Sequence, residues 1–309
     1  KPSADENGFS PEQLSTEIRL TAEDIESEIN DKRSYAMTRM LETMCADEIY
    51  GLTKNEILEN VKKVTPQSLL AAWKFMLKNG IIQLNAIGNI SEDDCKKKLR
   101  EAFSDVGERT PYEPGTVFVE EAEDLTELTE ELTMNQSKLV LGFRGGMTDE
   151  NDDFYSRRIM TDVFGGGPYS RLFMNVREKL SLCYYCSARL IRGKGIIVIQ
   201  SGIEKENRQK VLDEINRQLD IMKNGEFSDE DFEASKKAIC DAYRSFNDTP
   251  DALDIYYGTQ LTGDIVTPDE AIENFLAVTR DDVKKTACAL SLDTVYMLAG
   301  TDKEDGADE

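Results

Sequence analysis

Gly165-Gly166-Gly167-Pro168-Tyr169-Ser170-Arg171-Leu172-Phe173-Met174-Asn175-Val176-Arg177-Glu178-Lys179-Leu180-Ser181-Leu182-Cys183-Tyr184-Tyr185-Cys186-Ser187-Ala188 joins a glycine turn, a helix and a strand. Leu172, Phe173, Val176 and Leu180 recur at helical spacing, so residues 169–180 are expected to be a helix. Arg177 sits beside that apolar stripe rather than within it and is free to face a cavity. Residues 184–191 and 196–201 are expected to be strands joined around Arg192-Gly193-Lys194-Gly195, a hairpin signal. The three glycines precede a helix but lack both the Rossmann spacing and a following Gly-Lys-Ser/Thr, so phosphate binding is not expected and a flexible turn is. Cys183 and Cys186 have C-x-x-C spacing. On a regular strand a separation of three puts their sulfurs on opposite faces, and no second pair completes four ligands, which argues against a metal site.

Outward from this stretch, residues 138–143 read as a strand. Helices are expected over about 152–163, 206–222, 229–246, 251–262, 268–276 and 280–290, and a closing strand over 294–299. Ser228 is expected to cap the 229–246 helix. In the first third, apolar spacing predicts one long helix from Glu17 to about Ala46, then a short one over 54–62. Thr65-Pro66 opens a helix ending at Asn79-Gly80, residues 81–87 alternate loosely as a strand, and Ser91 caps a helix to Phe103. Met37, Met40, Met44 and Trp73 lie on apolar helix faces and are expected in the core. Pro111, Pro114, Gly115 and the acidic run from Glu120 to Glu131 read as a solvated connector.

Val64-Thr65 and Val278-Thr279 each start a helix followed by a strand ending in Gly88 or Gly300, an internal repeat offset by about 213 residues. If the second copy starts near Ser137, the first would start about 76 residues ahead of Lys1. The expected organisation is therefore residues 1–106 as the C-terminal half of a first domain, 107–135 as an acidic linker and 136–309 as a complete second domain. The fold class is α+β, each unit a mainly antiparallel sheet with helices on one face.

Among 309 residues there is no histidine, which excludes His-based zinc sites and Ser-His-Asp or Cys-His catalysis within this chain. A net charge of −23 repels phosphate backbones, so no nucleic-acid partner is expected. No apolar run approaches a membrane span, and the polar start Lys1-Pro2-Ser3 is neither a signal peptide nor an initiator Met, so no membrane association is expected and the start reads as a cut or processed end. Six cysteines without framework spacing read as reduced thiols, which points to the cytoplasm.

The 165–188 stretch resembles the C-terminal-domain signature of peptidase family M16, the insulinase/pitrilysin type: a glycine turn, a Ser-Arg-Leu-Phe helix, Arg-Glu-Lys, and a Tyr opening a strand. The resemblance extends over most of the chain and is similar to the bacterial two-domain M16 proteins that often work in pairs. It implies duplicated α+β domains and a peptide or unfolded protein as substrate. It further implies a second M16 chain as partner, in a homo- or heterodimer. By the motif, Arg177 and Tyr184 would reach across a closed chamber, bind substrate backbone and stabilise the tetrahedral intermediate, with Gly165, Gly166 and Gly167 as a peptide-binding turn. Fixed guanidinium donors and a phenol hydroxyl suit an oxyanion. Ser181 departs from the glycine usual there.

The family's zinc is held by His-x-x-Glu-His and by a Glu on a later helix. The histidines are not in this chain. The later helix shows Glu17 followed seven residues on by Asp24-Ile25, so Asp24 stands at the ligand position, unless the register runs through Glu23, Glu26 or Glu28. The implied reading is a non-catalytic half or subunit with no cofactor of its own. It would lend Arg177 and Tyr184 to a zinc-bearing half. The alternatives are a fragment of an active zinc endopeptidase whose motif lies upstream, and a peptide-binding scaffold with no catalytic role.

Overall fold

A computed structural model describes residues 4–112, 115–148, 153–260 and 265–301. The chain divides into two compact units, and neither is a continuous run of sequence. Lys1–Ser27, Lys54–Gly115 and Asp241–Ile272 make one; Glu28–Thr53, Thr116–Cys240 and Glu273–Glu309 make the other.

The first of these units contains a two-stranded ribbon, β1 (Ala4–Asp5) with β2 (Gly8–Phe9), and helices α1 (Pro11–Ser27), α3 (Lys54–Val61), α4 (Pro66–Asn79) and α5 (Glu92–Ala102). Its caps follow the sequence. Thr65 and Ser68 form a reciprocal capping box at α4, with Pro66 in the first turn, and Ser91 Oγ accepts from the Asp94 amide to start α5. Residues 81–87, expected to be a strand, pair with no strand among the described residues. Extended chain needs a neighbour to satisfy its amides as a ladder, and this unit supplies none. Helix α9 (Pro250–Gly258) completes the unit with an aromatic cluster of Tyr243, Phe246 and Tyr256.

The second unit is built on a five-stranded sheet in the order β3-β7-β4-β6-β5, comprising Thr126–Thr133, Ser291–Thr301, Ser137–Arg144, Ile196–Ile203 and Cys183–Ile191 respectively. All pairs are antiparallel except β3 with β7. One face carries Val140, Ile196, Val198, Tyr296 and Leu298, packed against Ala36, Met40 and Met44 of α2 (Lys32–Met44). The helices α6 (Phe154–Gly165), α7 (Arg208–Asn224) and α11 (Arg280–Cys288) pack with one another in the same unit, and α6 also packs on β5. Leu139, Leu141, Phe143, Ile197, Ile199, Val295 and Met297 alternate with the α2-facing set and are buried too, so both faces of the central strands are covered. The remaining helices are α8 (Asp229–Ser245) and α10 (Pro268–Ala277).

Three local expectations are corrected. The single helix over 17–46 is two, broken at a 3-10 turn over Glu28–Asn30. Asp31 causes the restart: its carboxylate accepts from the Arg33 and Ser34 amides as the N-cap of α2, and these bonds, Ser34's hydroxyl first, hold its pKa below the usual carboxylate value. The acidic connector is not solvated throughout, because its second half is the edge strand β3. The helix expected over 169–180 is wound as a π-helix over Phe173–Lys179, with the Leu180 amide reaching back five residues to the Asn175 carbonyl at 3.2 Å.

Candidate functional site

The π-helix packs on β5 and so sets Arg177 beside the start of that strand. The Arg177 guanidinium lies over the Phe173 ring at 4.6 Å, and its only ion pair among the described residues is a loose 3.6 Å contact with Glu178. About two-fifths of its side chain is open to solvent, which leaves its donors available to an added acceptor. The chain then turns at Ser181, whose φ of 51° lies in the left-handed region that glycine adopts without penalty. The serine departs from the motif in residue type, while the backbone keeps the conformation a glycine would favour.

Strand β5 opens with a bulge. Cys183 pairs with Ile203 and Tyr185 with Gly202, so Tyr184 is the extra residue without a rung of its own. It is 57% exposed, and its hydroxyl donates to the Glu204 carboxylate. That bond and the charge of Glu204 raise the Tyr184 pKa, keeping the phenol protonated as a donor. The bulge also corrects the C-x-x-C geometry. Cys183 and Cys186 oppose Ile203 and Ser201, two rungs apart, so both thiols lie on one face.

The glycines have separate positions. Gly165 is buried at the end of α6, where an added Cβ would stand 2.6 Å from the Ala188 amide nitrogen of β5. It therefore permits the helix to touch the strand. Gly166 lies against Asp162 and Gly167 against the Tyr169 ring, and the Tyr169 hydroxyl donates to Asp162 at 2.6 Å. This bonded turn leads into the Arg177 helix.

Asp24 lies in α1, exposed, as is Glu17. No three His, Cys, Asp or Glu among the described residues gather as a metal site, and the chain has no histidine at all. Two exposed carboxylates on one helix do not make the four-ligand shell that zinc takes, so the residues present do not fit the metal.

Sequence reading missed a cleft of about 370 Å³ on the α2 face of the sheet, lined by Arg33, Ser34, Thr38, Ser187, Arg189 and Gln200. Arg33 reaches across it to Gln200 and Ser187 at 3.4 and 3.5 Å and lies over the Tyr185 ring. The alternation Tyr185, Ser187, Arg189 on β5 was the available signal.

A family model described as the peptidase M16 inactive domain matches residues 63–239, more than half the chain. The chain belongs to peptidase family M16. It is 29% identical over 305 residues to "Probable inactive metalloprotease YmfF" of Bacillus subtilis, covering 97% of this chain and 71% of that one. An "Uncharacterized zinc protease" of Rickettsia felis is 22% identical, covering 57% and 42%. Among solved structures, a conserved protein from Enterococcus faecalis superposes with a TM-score of 0.84 at 25% identity, covering 98% of this chain and 72% of that one. The peptidase M16 inactive domain from Pseudomonas fluorescens gives 0.72 at 16%, covering 96% and 73%. The expected α+β M16 fold is thus shown, and the family model that matches is that of the inactive domain. Two Rickettsia relatives carry the name zinc protease.

Proposed function

We propose that this chain is a non-catalytic M16 subunit that binds extended peptide and presents Arg177 and Tyr184 to a zinc-bearing second M16 chain. The observation that carries the proposal is the bulge that lifts Tyr184 out of the ladder, beside an Arg177 with no strong acidic partner among the described residues. The two sheet edges add support. β3 is blunted by Glu127 and Glu131, whereas β5 pairs only with β6 among the described residues and has Arg189 exposed. A rim of that kind accepts an extended peptide as an added strand. The lack of a donor set for zinc among the described residues fits a reading in which a partner carries the hydrolytic step. No helix among the described residues is long and apolar enough to cross a membrane, and the six free cysteines support a cytoplasmic setting.

The test is peptide hydrolysis by this subunit mixed with a zinc-bearing M16 partner, followed with Arg177→Ala and Tyr184→Phe. Loss of one donor to an oxyanion lowers kcat by roughly 10²-fold or more. Unchanged hydrolysis in both variants would remove the assisting role. Zinc-dependent cleavage by a longer form of this chain alone would make it a catalytic subunit instead.

A further inference from the structure

Cys183 and Cys186 form a pair that the bulge at Tyr184 creates. Without the bulge the two sulfurs would point to opposite faces; with it they lie two rungs apart on the face where Ile203 and Ser201 are buried. Two rungs span about 6.6 Å along a strand, the upper end of the Cα separation a disulfide bridges. Each thiol acts on the other, lowering the pKa of Cys183 and raising that of the dry Cys186, and the Ser201 hydroxyl, which donates to the Tyr185 carbonyl, lies on the same face. They differ in access: Cys186 is 4% exposed, whereas Cys183 is half-buried at the edge of the sheet.

We propose that Cys183 and Cys186 are a reactive dithiol, in which Cys183 attacks low-molecular-weight disulfides and Cys186 resolves the product. The roles follow from access and charge. The neighbouring Cys186 and, more weakly, the Arg177 charge favour the Cys183 thiolate, while Cys186, in a dry site beside it, keeps its proton. In the first step the Cys183 thiolate attacks one sulfur of RS–SR. The small disulfide's S–S bond breaks, one RS⁻ leaves and takes a proton, and a Cys183–S–S–R bond forms. In the second step Cys186 loses its proton and attacks the Cys183 sulfur, displacing the second RS⁻ as RSH. The pair is oxidised by two electrons and one RSSR is reduced to two RSH. The attacked atom adjoins Tyr184, so either product alters the strand opening that presents the phenol. The inference needs no role for Tyr184 in peptide binding and can fail or hold independently of it.

The remaining thiols, Cys45, the half-buried Cys95, Cys240 and Cys288, provide the control. Cys45 and Cys240 are buried, and burial, with the charge of Glu48, pushes the Cys45 thiol up to about 11. Cys288 is exposed and makes only a weak bond to the Lys223 carbonyl. The experiment exposes the reduced protein to oxidised glutathione and maps every cysteine by peptide mass spectrometry over time. Cys183 is expected to react about tenfold faster than Cys288, given its larger thiolate fraction, and to end as an internal Cys183–Cys186 disulfide without retained glutathione. Cys186→Ser should trap glutathione on Cys183. Wild-type Cys183 reacting no faster than Cys288, or first addition at Cys186, would overturn the proposal, and neither readout depends on a variant folding.

Discussion

Two residues show how local chemistry fixes this chain. Ser181 is held at a φ of 51°, where a side chain costs about 1–2 kcal/mol. Ser181→Gly removes that strain but frees the unfolded chain, an offset of about 0.4–1 kcal/mol. The net expectation is a gain near 0.5 kcal/mol, read as a rise of roughly 1–2 °C in Tm; a fall would mean that the serine side chain contributes a contact the backbone argument ignores. Glu48 is the opposite case. It lies between two buried cations: Arg144, 3.3 Å away and bonded also to Asp293 and the Met44 carbonyl, and Lys194, bonded also to the Val117 carbonyl. Side chains of all three are under a tenth exposed. Removing the acid leaves Lys194 buried without its counter-charge and Arg144 with Asp293 alone, so Glu48→Gln should cost about 3 kcal/mol, read from the urea midpoint. A cost below about 1 kcal/mol would show that water reaches the cluster.

At the scale of elements, the strand β3 shows both what sequence conveys and what it hides. Its residues Thr126-Glu127-Leu128-Thr129-Glu130-Glu131-Leu132-Thr133 lie within a run whose acidity suggested a solvated connector. The period-2 signal was present in Leu128, Glu130 and Leu132, which face the α2 cluster, but a glutamate in an inward position masked it. That glutamate is matched by tertiary partners: Arg39 through Nε and Nη2, and the hydroxyls of Tyr35 and Tyr296 at 3.2 and 3.1 Å. Burial alone would raise its pKa, but Arg39 and the hydroxyls outweigh burial and hold it below the ordinary value. Glu130→Gln should therefore loosen this edge strand. The amides of β3 should exchange about tenfold faster in hydrogen-exchange measurements, while those between β4 and β6 stay protected; equal protection across the sheet would mean that the Leu128 and Leu132 contacts suffice. The helices were legible because their caps are local: Thr65, Ser91 and Thr279 each announce a start that the structure keeps. The π-helix and the β5 bulge were not, because each adds a residue to a regular pattern whose spacing the sequence alone still satisfies. Thus Arg177 and Tyr184 could be named from the motif, but the pairing of Cys183 with Cys186 could not, since it depends on where the extra residue of the bulge falls.

For the whole molecule, the absent histidines predict a flat stability profile near neutral pH. Stability changes with pH only where the folded and unfolded chains bind different numbers of protons. Among the described residues the carboxylates with a resolved shift are all depressed: Asp31 by Ser34, Glu92 by Lys96, Glu214 by Arg217, Glu270 by Thr267, Asp282 by Thr279, and Glu130 as above. Their contribution is present above the unfolded values of 3.8 to 4.5 and is lost as pH falls through the lower folded ones. The tyrosines are shifted the other way, Tyr35, Tyr185 and Tyr296 by burial, so their contribution is present below 10.0 and is lost as pH rises beyond it. An ordinary protein bridges these limbs with imidazoles; this one has none. The urea midpoint should therefore stay constant from about pH 5.5 to 7, since no ordinary carboxylate, tyrosine or lysine titrates there and the lowered Cys183 thiol sets the upper limit. The competing force is the net charge of −23, which can push a crowded carboxylate upward. Each such group would add a slope approaching about 1.4 kcal/mol per pH unit. Salt separates the two cases: a slope that disappears between low ionic strength and about 0.2 M belongs to long-range repulsion among surface acids, whereas a slope that persists belongs to a buried carboxylate whose neighbours favour its protonated form.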